Sequence, residues 1–225
     1  MTHRHSRSSE PEALGMARVI HEIEGRLATI AMFSEQLTCE GQPLDMAKLQ
    51  ARLSRVHLAA IEAQRVIDAL RQLDDDSPLE RVSVDLSALC SRILERHSAR
   101  TPHFERSLVH IQPNVHLYGD SKLLDVLLDN LIGNALKYTS QRDAPRVRVT
   151  ASSESNRAVV HVSDNGVGIA PEDADRMFQP FTRCHANFPG TGVGLATARR
   201  IVERHGGRIW ATGELGLGTT ISFVL

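Results

Sequence analysis

Residues 190–195 read Gly-Thr-Gly-Val-Gly-Leu and stand at the start of the predicted helix 191–205. Free N–H groups at the start of a helix form an anion site suited to phosphates. Two familiar phosphate-binding patterns are excluded. No Lys-Ser or Lys-Thr pair follows, as GxxxxGK[ST] requires, and the stretch is not a GxGxxG motif after a strand. The glycines therefore predict neither a P-loop nor a dinucleotide-binding fold.

Two further glycine clusters flank this stretch in the sequence, Asp164-Asn-Gly-Val-Gly-Ile169 and Gly216-Leu-Gly-Thr219. Glycine lets a backbone approach a ligand closely or adopt a positive φ. Any one of these clusters alone is more typical of a turn than of a nucleotide site. Asp164, however, is an acceptor-only carboxylate at the end of a predicted strand, and such a group suits an exocyclic amine such as that of adenine.

A polar face of the predicted helix 120–138 supports the nucleotide interpretation. Asn130, Asn134 and Lys137 follow the spacing i, i+4, i+7 and share one side of the helix. An amide oxygen can ligate Mg²⁺ in a shell that is otherwise mostly water. A lysine can meet phosphate charge. The sequence therefore predicts a site for a nucleotide with Mg²⁺.

These motifs resemble, in order and spacing, those of the histidine kinase ATP-binding domain. Residues 130–138 resemble its N box, 164–168 its G1 box, 178–181 its F box and 190–195 its G2 box. The resemblance covers roughly residues 80–225. It implies the Bergerat-type fold shared with gyrase and Hsp90 ATPase domains, in which Mg-ATP lies beneath a mobile lid.

The resemblance also implies which residues contact the cofactors ATP and Mg²⁺, with Asn134 as the magnesium ligand. The expected ATP-binding residues are Asn130, Asn134, Lys137, Tyr138, Asp164, Gly166, Gly168, Ile169, Phe181, Arg183, Gly190, Thr191, Gly192, Val193, Gly194, Leu195 and Thr219.

The lid corresponds to Thr182–Pro189, a short segment that looks most like the lids of phytochrome-type kinases. We expect a short lid to retain ATP weakly. Cys184 and His185 lie in it, and we expect them to be solvent-exposed residues without function rather than a redox or metal site.

The first part of the chain predicts a helical hairpin. Apolar residues repeat every three or four positions from Ala13 to Thr38 and again from Leu49 to Leu70. One hairpin cannot bury its narrow apolar seam, so two copies are expected to form a four-helix bundle in a homodimer. The predicted domains are a disordered tail at 1–12, a dimerisation and phosphotransfer hairpin at 13–75, a linker at 76–80 and an ATP-binding domain at 81–225.

The segment His21-Glu22-Ile23-Glu24-Gly25-Arg26-Leu27 resembles the phosphoacceptor segment of the same family. The resemblance implies His21 as phosphoacceptor and Glu22 as the base that fixes its tautomer and accepts a proton. The family has Thr or Asn where Gly25 stands and Pro where Arg26 stands. Since that Thr or Asn positions water for dephosphorylating the response regulator, we expect weak phosphatase activity, and the departure also leaves the kinase activity open.

The remaining elements predict an α+β protein in which the hairpin precedes an α/β sandwich, with helices on one face of a mixed sheet. Strands are predicted at 81–84, 107–112, 146–151, 158–163, 208–211 and 219–224. Helices are predicted from Asp85, acting as N-cap, to about 97, and at 120–138 and 191–205.

The amino-acid composition of the chain disfavours several classes of function. The chain has 225 residues with 26 Lys+Arg against 27 Asp+Glu, which disfavours a dominant nucleic-acid or polybasic membrane partner. No apolar run approaches the ~20 residues that span a bilayer. Three distant cysteines favour a reduced, cytoplasmic protein.

Since the catalytic parts fill the length, input is expected from a separate sensor or upstream protein, or through the short N-terminal tail. Output is expected through the receiver domain of a response regulator. Two alternatives stay open. One is a dimeric ATP-binding adaptor that docks a signalling partner without phosphotransfer. The other is a serine kinase of the anti-sigma-factor type, which the His-Glu hairpin disfavours.

Overall fold

The structure, a computed structural model, describes residues 23–35, 46–74, 77–100, 109–154, 157–185, 187–188 and 190–225. The chain divides into two compact units, Met1–Arg71 and Gln72–Leu225. His21, Glu22 and Cys39 lie outside the described residues.

The first unit contains helix α1, residues 23–35, and most of helix α2, Met46–Asp74. The two helices meet at Phe33, which is buried and has the Arg55 guanidinium 5.4 Å from its ring centroid. Ala59 and Ala63 are also buried. On the predicted seam, by contrast, Leu27 and Leu53 are 55% and 50% exposed within the single chain.

The second unit mixes helices and strands. In order it contains β1 Arg81–Asp85, α3 Leu86–Arg100, β2 Val109–Ile111, β3 His116–Asp120, α4 Ser121–Thr139, β4 Val147–Glu154, β5 Arg157–Asp164, α5 Gly194–Arg204, β6 Arg208–Glu214 and β7 Gly218–Val224. Two short 3₁₀ turns, Pro171–Asp173 and Arg176–Phe178, lie between β5 and α5.

Within the described residues the strands form two sheets. The larger has five strands in the order β2-β4-β5-β7-β6, with β2 and β4 parallel and the other pairs antiparallel. β1 and β3 form a separate antiparallel pair. A mixed helix and sheet architecture was predicted, and the five-stranded sheet is consistent with it.

The core lies between one face of the five-stranded sheet and helices α3, α4 and α5. Alternate residues of the strands face it, as period-two side chains must. The buried members include Val147, Val149, Val160, Val162, Ile221 and Phe223. Helix α4 buries Leu124, Leu127, Leu128 and Leu131, as the helical spacing predicts. This packing fixes α4 across the sheet and so positions its polar face.

Two helix starts agree with the capping rules. The Asp85 carboxylate accepts from Ser87 N at 2.8 Å and Ala88 N at 3.1 Å, which confirms its predicted role as the cap of α3. Asp120 caps α4 by accepting from the N–H groups of Lys122 and Leu123. The predicted helix 120–138 includes Asp120, but Asp120 ends β3, a strand that was not predicted.

The start of α5 also differs from the prediction. The helix begins at Gly194 rather than at Thr191. Gly190 and Gly192 have φ values of +149° and +74°, which a right-handed helix does not contain. The glycine stretch is therefore a loop that ends in a helix N-terminus. Among the described residues no helix is long and apolar enough to cross a membrane.

Candidate nucleotide-binding site

A cavity in the second unit lies among α4, the end of β5, the loop after β5, the lid, α5 and β7. Seven of the predicted site residues line it: Asn134, Tyr138, Asp164, Gly168, Ile169, Leu195 and Thr219. The others described, including Asn130, Lys137 and Gly194, lie in the segments that flank it. An apolar wall comes from Leu131, Ala135, Val162, Met177 and Ile221. The cavity thus combines a mostly apolar interior with a few polar groups, as small-molecule sites do.

Asp164 is held at the end of β5 by backbone donors. Its Oδ1 accepts from Gly166 N at 2.8 Å and from Thr219 N at 3.3 Å. Burial raises the pKa of Asp164, and these two hydrogen bonds, together with the charge of Arg142, oppose that rise. Among the described residues Oδ2 accepts no hydrogen bond, so this oxygen is left for a donor in the cavity.

Gly168 shows why the loop after β5 is rich in glycine. Its φ is +75°, and a Cβ there would collide with the backbone carbonyl of Glu214. A Cβ at Gly166 would lie 2.6 Å from the carbonyl oxygen of Tyr138. The loop is therefore packed directly against two other backbone segments, and the neighbouring Ile169 is buried.

Helix α4 brings its polar face to the glycine stretch before α5. The Asn130 amide donates from Nδ2 to the Val126 carbonyl at 2.9 Å. Its Oδ1 would lie 2.7 Å from a Cβ on Gly194, so a larger residue at this point of α5 would require the Asn130 side chain to shift. A Cβ on Gly190 would likewise lie 3.3 Å from Lys137 Nζ. Residues from two distant parts of the sequence are thus brought together.

Lys137 is a partly desolvated cation. Burial, with a smaller contribution from the positive charge of Arg183, lowers the pKa of Lys137 to about 8. The ammonium stands 4.3 Å from the ring centroid of Tyr138, a cation–π distance. A desolvated cation of this kind is stabilised when an anion binds next to it.

The two segments that flank the lid are joined by a backbone hydrogen bond. Phe181 N donates to the Gly192 carbonyl at 2.9 Å, and both residues have a positive φ. Inside the lid, Arg183 Nη2 donates to the Phe188 carbonyl at 2.7 Å. Phe181 and Arg183 do not line the cavity, although both belong to the predicted set. Thr191 is half-buried and Val193 is buried.

The expectation that Cys184 and His185 are exposed is wrong. Both are half-buried and line the cavity, and His185 Nε2 lies 2.7 Å from the Gly168 carbonyl oxygen. The sequence holds no signal for this contact because it joins residues from two loops.

Arg142 is a further residue that the sequence analysis missed. Its Nη2 donates to the carbonyls of Gly166 at 2.8 Å and Gly216 at 2.5 Å. The guanidinium therefore ties the loop after β5 to the β6–β7 turn, close to Asp164. An arginine in a polar loop shows no pattern that would reveal this role.

The residues present fit a magnesium ion held mainly by phosphate and water. Among the described residues, no group of three or more His, Cys, Asp or Glu side chains is placed to hold a metal. Mg²⁺ at phosphate sites usually takes only one or two protein ligands. An amide oxygen can be such a ligand, and the side chain of Asn134 lies at the wall of the cavity on the same helix face as Lys137.

Comparison with known proteins agrees with this geometry. Residues 119–225 match the family model described as "Histidine kinase-, DNA gyrase B-, and HSP90-like ATPase". The mycobacterial sensor histidine kinase MprB is 30% identical, with a TM-score of 0.53, over 64% of this chain and 96% of that one. The chain belongs to the histidine kinase ATPase family. The predicted resemblance is therefore confirmed: the chain contains a two-component histidine kinase ATPase core.

Longer histidine kinases match nearly the whole chain. The methanogenesis regulatory histidine kinase FilI of Methanothrix harundinacea (strain 6Ac) is 30% identical over 217 residues, which cover 92% of this chain and 24% of FilI. The histidine kinase core thus spans about a quarter of the length of that relative.

Two solved complexes share the fold of this histidine kinase core. Full-length ShkA in complex with AMPPNP is 24% identical, with a TM-score of 0.64 over 93% of this chain and 45% of that one. The histidine kinase ThkA in complex with the response regulator protein TrrA is 19% identical, with a TM-score of 0.67 over 93% of this chain and 60% of that one.

Proposed function

We propose that the protein is a histidine kinase that phosphorylates His21 from Mg-ATP and then passes the phosphoryl group to an aspartate of a response regulator. One observation carries the nucleotide part of this proposal. A fixed carboxylate, Asp164, lines a mostly apolar cavity, and helix α4, which forms part of its wall, carries the partly buried cation Lys137. A ligand that is an amine-bearing base at one end and a polyanion at the other suits this arrangement.

In this proposal the adenine amine donates to Oδ2 of Asp164, since Oδ1 is used by backbone donors. Lys137 and the glycines 190–194 hold the phosphates, at the N-terminus of α5. Asn134 ligates Mg²⁺, which when bound neutralises charge that develops on the phosphates. The AMPPNP bound to ShkA, a protein of the same fold, supports nucleotide binding at such a core.

The phosphotransfer step assigned to His21 and Glu22 concerns residues outside the described part of the chain. One imidazole nitrogen attacks the γ-phosphorus in line, a P–N bond forms, and the P–O bond to the leaving ADP breaks. Glu22 hydrogen-bonds the opposite ring N–H and accepts the proton that the ring gives up, which leaves the imidazole ring of the phosphohistidine neutral.

A homodimer is proposed from the exposure of the first unit. Leu27 and Leu53, both on the predicted apolar seam, are half or more exposed in the single chain. A second copy would cover these side chains in a four-helix bundle. Light scattering is expected to give a dimer at micromolar concentration, and a monomer would contradict the proposal.

The response regulator is proposed to dock beside His21, where the two helices flank the phosphoacceptor. The response regulator bound to ThkA supports a partner of this kind. Gly25 is exposed and has no side chain that could position a water. We therefore expect weak phosphatase activity.

A second candidate is an ATP-binding dimeric adaptor that docks a signalling partner and transfers no phosphate. The substituted phosphoacceptor segment favours it. Gly25 and Arg26 stand where the family has a polar residue and a proline, and the Gly25 carbonyl instead accepts a bond from Thr29 Oγ1 at 2.9 Å.

Labelling with γ-labelled ATP separates these functions. Under the kinase proposal the protein acquires an acid-labile, base-stable label, and His21→Gln abolishes it. His57→Gln, which changes an exposed histidine of α2, is the matched control and keeps the label. A label that survives His21→Gln contradicts the kinase proposal. Nucleotide binding without any label supports the adaptor.

A further inference from the structure

The cavity is too small for a nucleotide while the lid occupies its present position. Its volume is about 40 Å³. Pockets that bury drug-sized ligands measure roughly 300–1,000 Å³. Three lid residues, Thr182, Cys184 and His185, form part of the wall. Side chains of the lid therefore fill space that a bound nucleotide needs.

His185 makes the polar contact of the lid with the floor of the cavity. Its Nε2 lies 2.7 Å from the Gly168 carbonyl oxygen. A carbonyl oxygen only accepts, so Nε2 carries a proton and donates it. The acceptor cannot follow the lid outward, because Gly168 is packed against the backbone of Glu214. This bond has to break when the lid opens.

Two aromatic rings support the same lid position. The ring of His185 lies 5.6 Å from that of Tyr138 at an interplanar angle of 62°, and 6.2 Å from that of Phe188 at 71°. Phe188 is buried and its centroid lies 5.1 Å from that of Tyr138. These edge-to-face arrangements are the favourable geometry for aromatic pairs. The three rings form a cluster on the C-terminal turn of α4.

The imidazole resembles the ligand that the site is proposed to bind. It is a planar nitrogen heterocycle whose ring N–H donates to the Gly168 carbonyl at the wall of the cavity. The Asp164 carboxylate, which is proposed to bind the base, lines the same cavity. We infer that His185 is an internal ligand of the base site, which the nucleobase of ATP or ADP displaces when it binds. This inference rests on the proposed nucleotide binding and adds how the empty site is held closed.

The affinity of His185 variants for Mg-ADP, measured by isothermal titration calorimetry, tests the inference. His185→Ala removes the competitor, so the dissociation constant is expected to fall about fivefold, the equivalent of one neutral hydrogen bond. His185→Gln is expected to stay within about twofold of the parent, because an amide Nε2 can donate to the same carbonyl. Asn187→Ala, at an exposed lid residue, is the matched control and leaves the affinity unchanged.

A second measurement uses the unaltered protein. Nitrogen-15 NMR of the histidine side chains is expected to show a hydrogen-bonded Nε2–H for His185 without nucleotide. Saturating Mg-ADP is expected to abolish that bond. Persistence of the bond in the saturated protein overturns the inference even if the alanine variant folds poorly.

The calorimetric outcomes separate two failures. If the parent binds Mg-ADP and His185→Ala binds it equally or more weakly, His185 is not a competitor, although the nucleotide proposal stands. If neither protein binds Mg-ADP, the nucleotide proposal itself fails, and the inference fails with it.

Discussion

The floor of the cavity and its lid are built in different ways. On the floor, backbone N–H groups fix Asp164 Oδ1, and Gly168 touches the backbone of Glu214. In the lid, side chains make the contacts, through the His185 bond and the rings of Tyr138 and Phe188. Backbone contacts cannot rotate away, whereas side chains change rotamer at small cost. Changes in the floor should therefore destroy binding, and changes in the lid should adjust it.

The largest effect is expected from Gly168→Ala. The new Cβ would meet the Glu214 carbonyl, and the φ of +75° is unfavourable for alanine. We expect the free energy of unfolding of the second unit to fall by more than about 2 kcal/mol and Mg-ATP binding to be lost.

Gly216→Ala is the matched control for that experiment, measured by urea denaturation in parallel. Gly216 has a similar φ of +80°, but no atom lies within 4 Å of its added Cβ. Gly216→Ala is expected to lower the free energy of unfolding only through the unfavourable φ, by about 1 kcal/mol. Equal losses in the two variants would show that the backbone contact of Gly168 contributes nothing.

Asp164→Asn is expected to have the next largest effect. The amide oxygen can still accept from Gly166 and Thr219, while Oδ2 is replaced by a donor that faces the donor amine of adenine. Calorimetry is expected to show roughly 10- to 100-fold weaker Mg-ADP binding with little change in stability. The preference for adenine over guanine nucleotides should also disappear, and a retained preference would place the base elsewhere.

The affinity for Mg-ATP is expected to depend on pH through Lys137. Because the pKa of Lys137 is about 8, raising the pH from 7 to 9.5 removes its charge and weakens binding several-fold. Burial raises the pKa values of Tyr138 and Cys184, which moves their titrations to higher pH. Lys137→Arg should flatten the profile in a fluorescence titration, and an unflattened profile would assign the titration to another group.

The smallest expected effect belongs to Arg142. Arg142→Met removes two hydrogen bonds to the carbonyls of Gly166 and Gly216, so the unfolding free energy should fall by about 1–3 kcal/mol. Mg-ADP binding should weaken only about threefold, since Asp164 keeps its backbone donors. Arg146→Met, at an exposed neighbour, is the control. A change in affinity as large as that of Asp164→Asn would make Arg142 a ligand-binding residue.

Much of the second unit follows from local sequence. The leucine spacing of α4 and the alternation of apolar and polar residues in β4 and β5 indicate which faces are buried. Hydrophobic periodicity is therefore enough to predict these elements. β3 was missed because Gly119 occupies a core-facing position without an apolar side chain. Tertiary packing favours glycine at this position, since a Cβ on Gly119 would lie 3.0 Å from His205 Nε2.

The candidate site likewise contains residues that the sequence predicts and contacts that it does not. Asp164, Asn134 and Lys137 were identified because their motifs place them on regular elements. The contacts of His185 and Arg142 were not, because they join loops whose relative position depends on the whole fold. The start of α5 was predicted too early for a local reason. Alternating glycines indicate a helix start, but Gly190 and Gly192 have positive φ values.

The place of Asp164 in the five-stranded sheet has a consequence for cooperativity. It ends the central strand β5, where its Cα partners are Val147 on β4 and Thr219 on β7. A ligand held by this carboxylate opposes the separation of three strands together. At a ligand concentration 100 times the dissociation constant the gain is about 2.7 kcal/mol. Amide protons along β4 and β7 that never touch the nucleotide should then exchange with solvent about a hundred times more slowly.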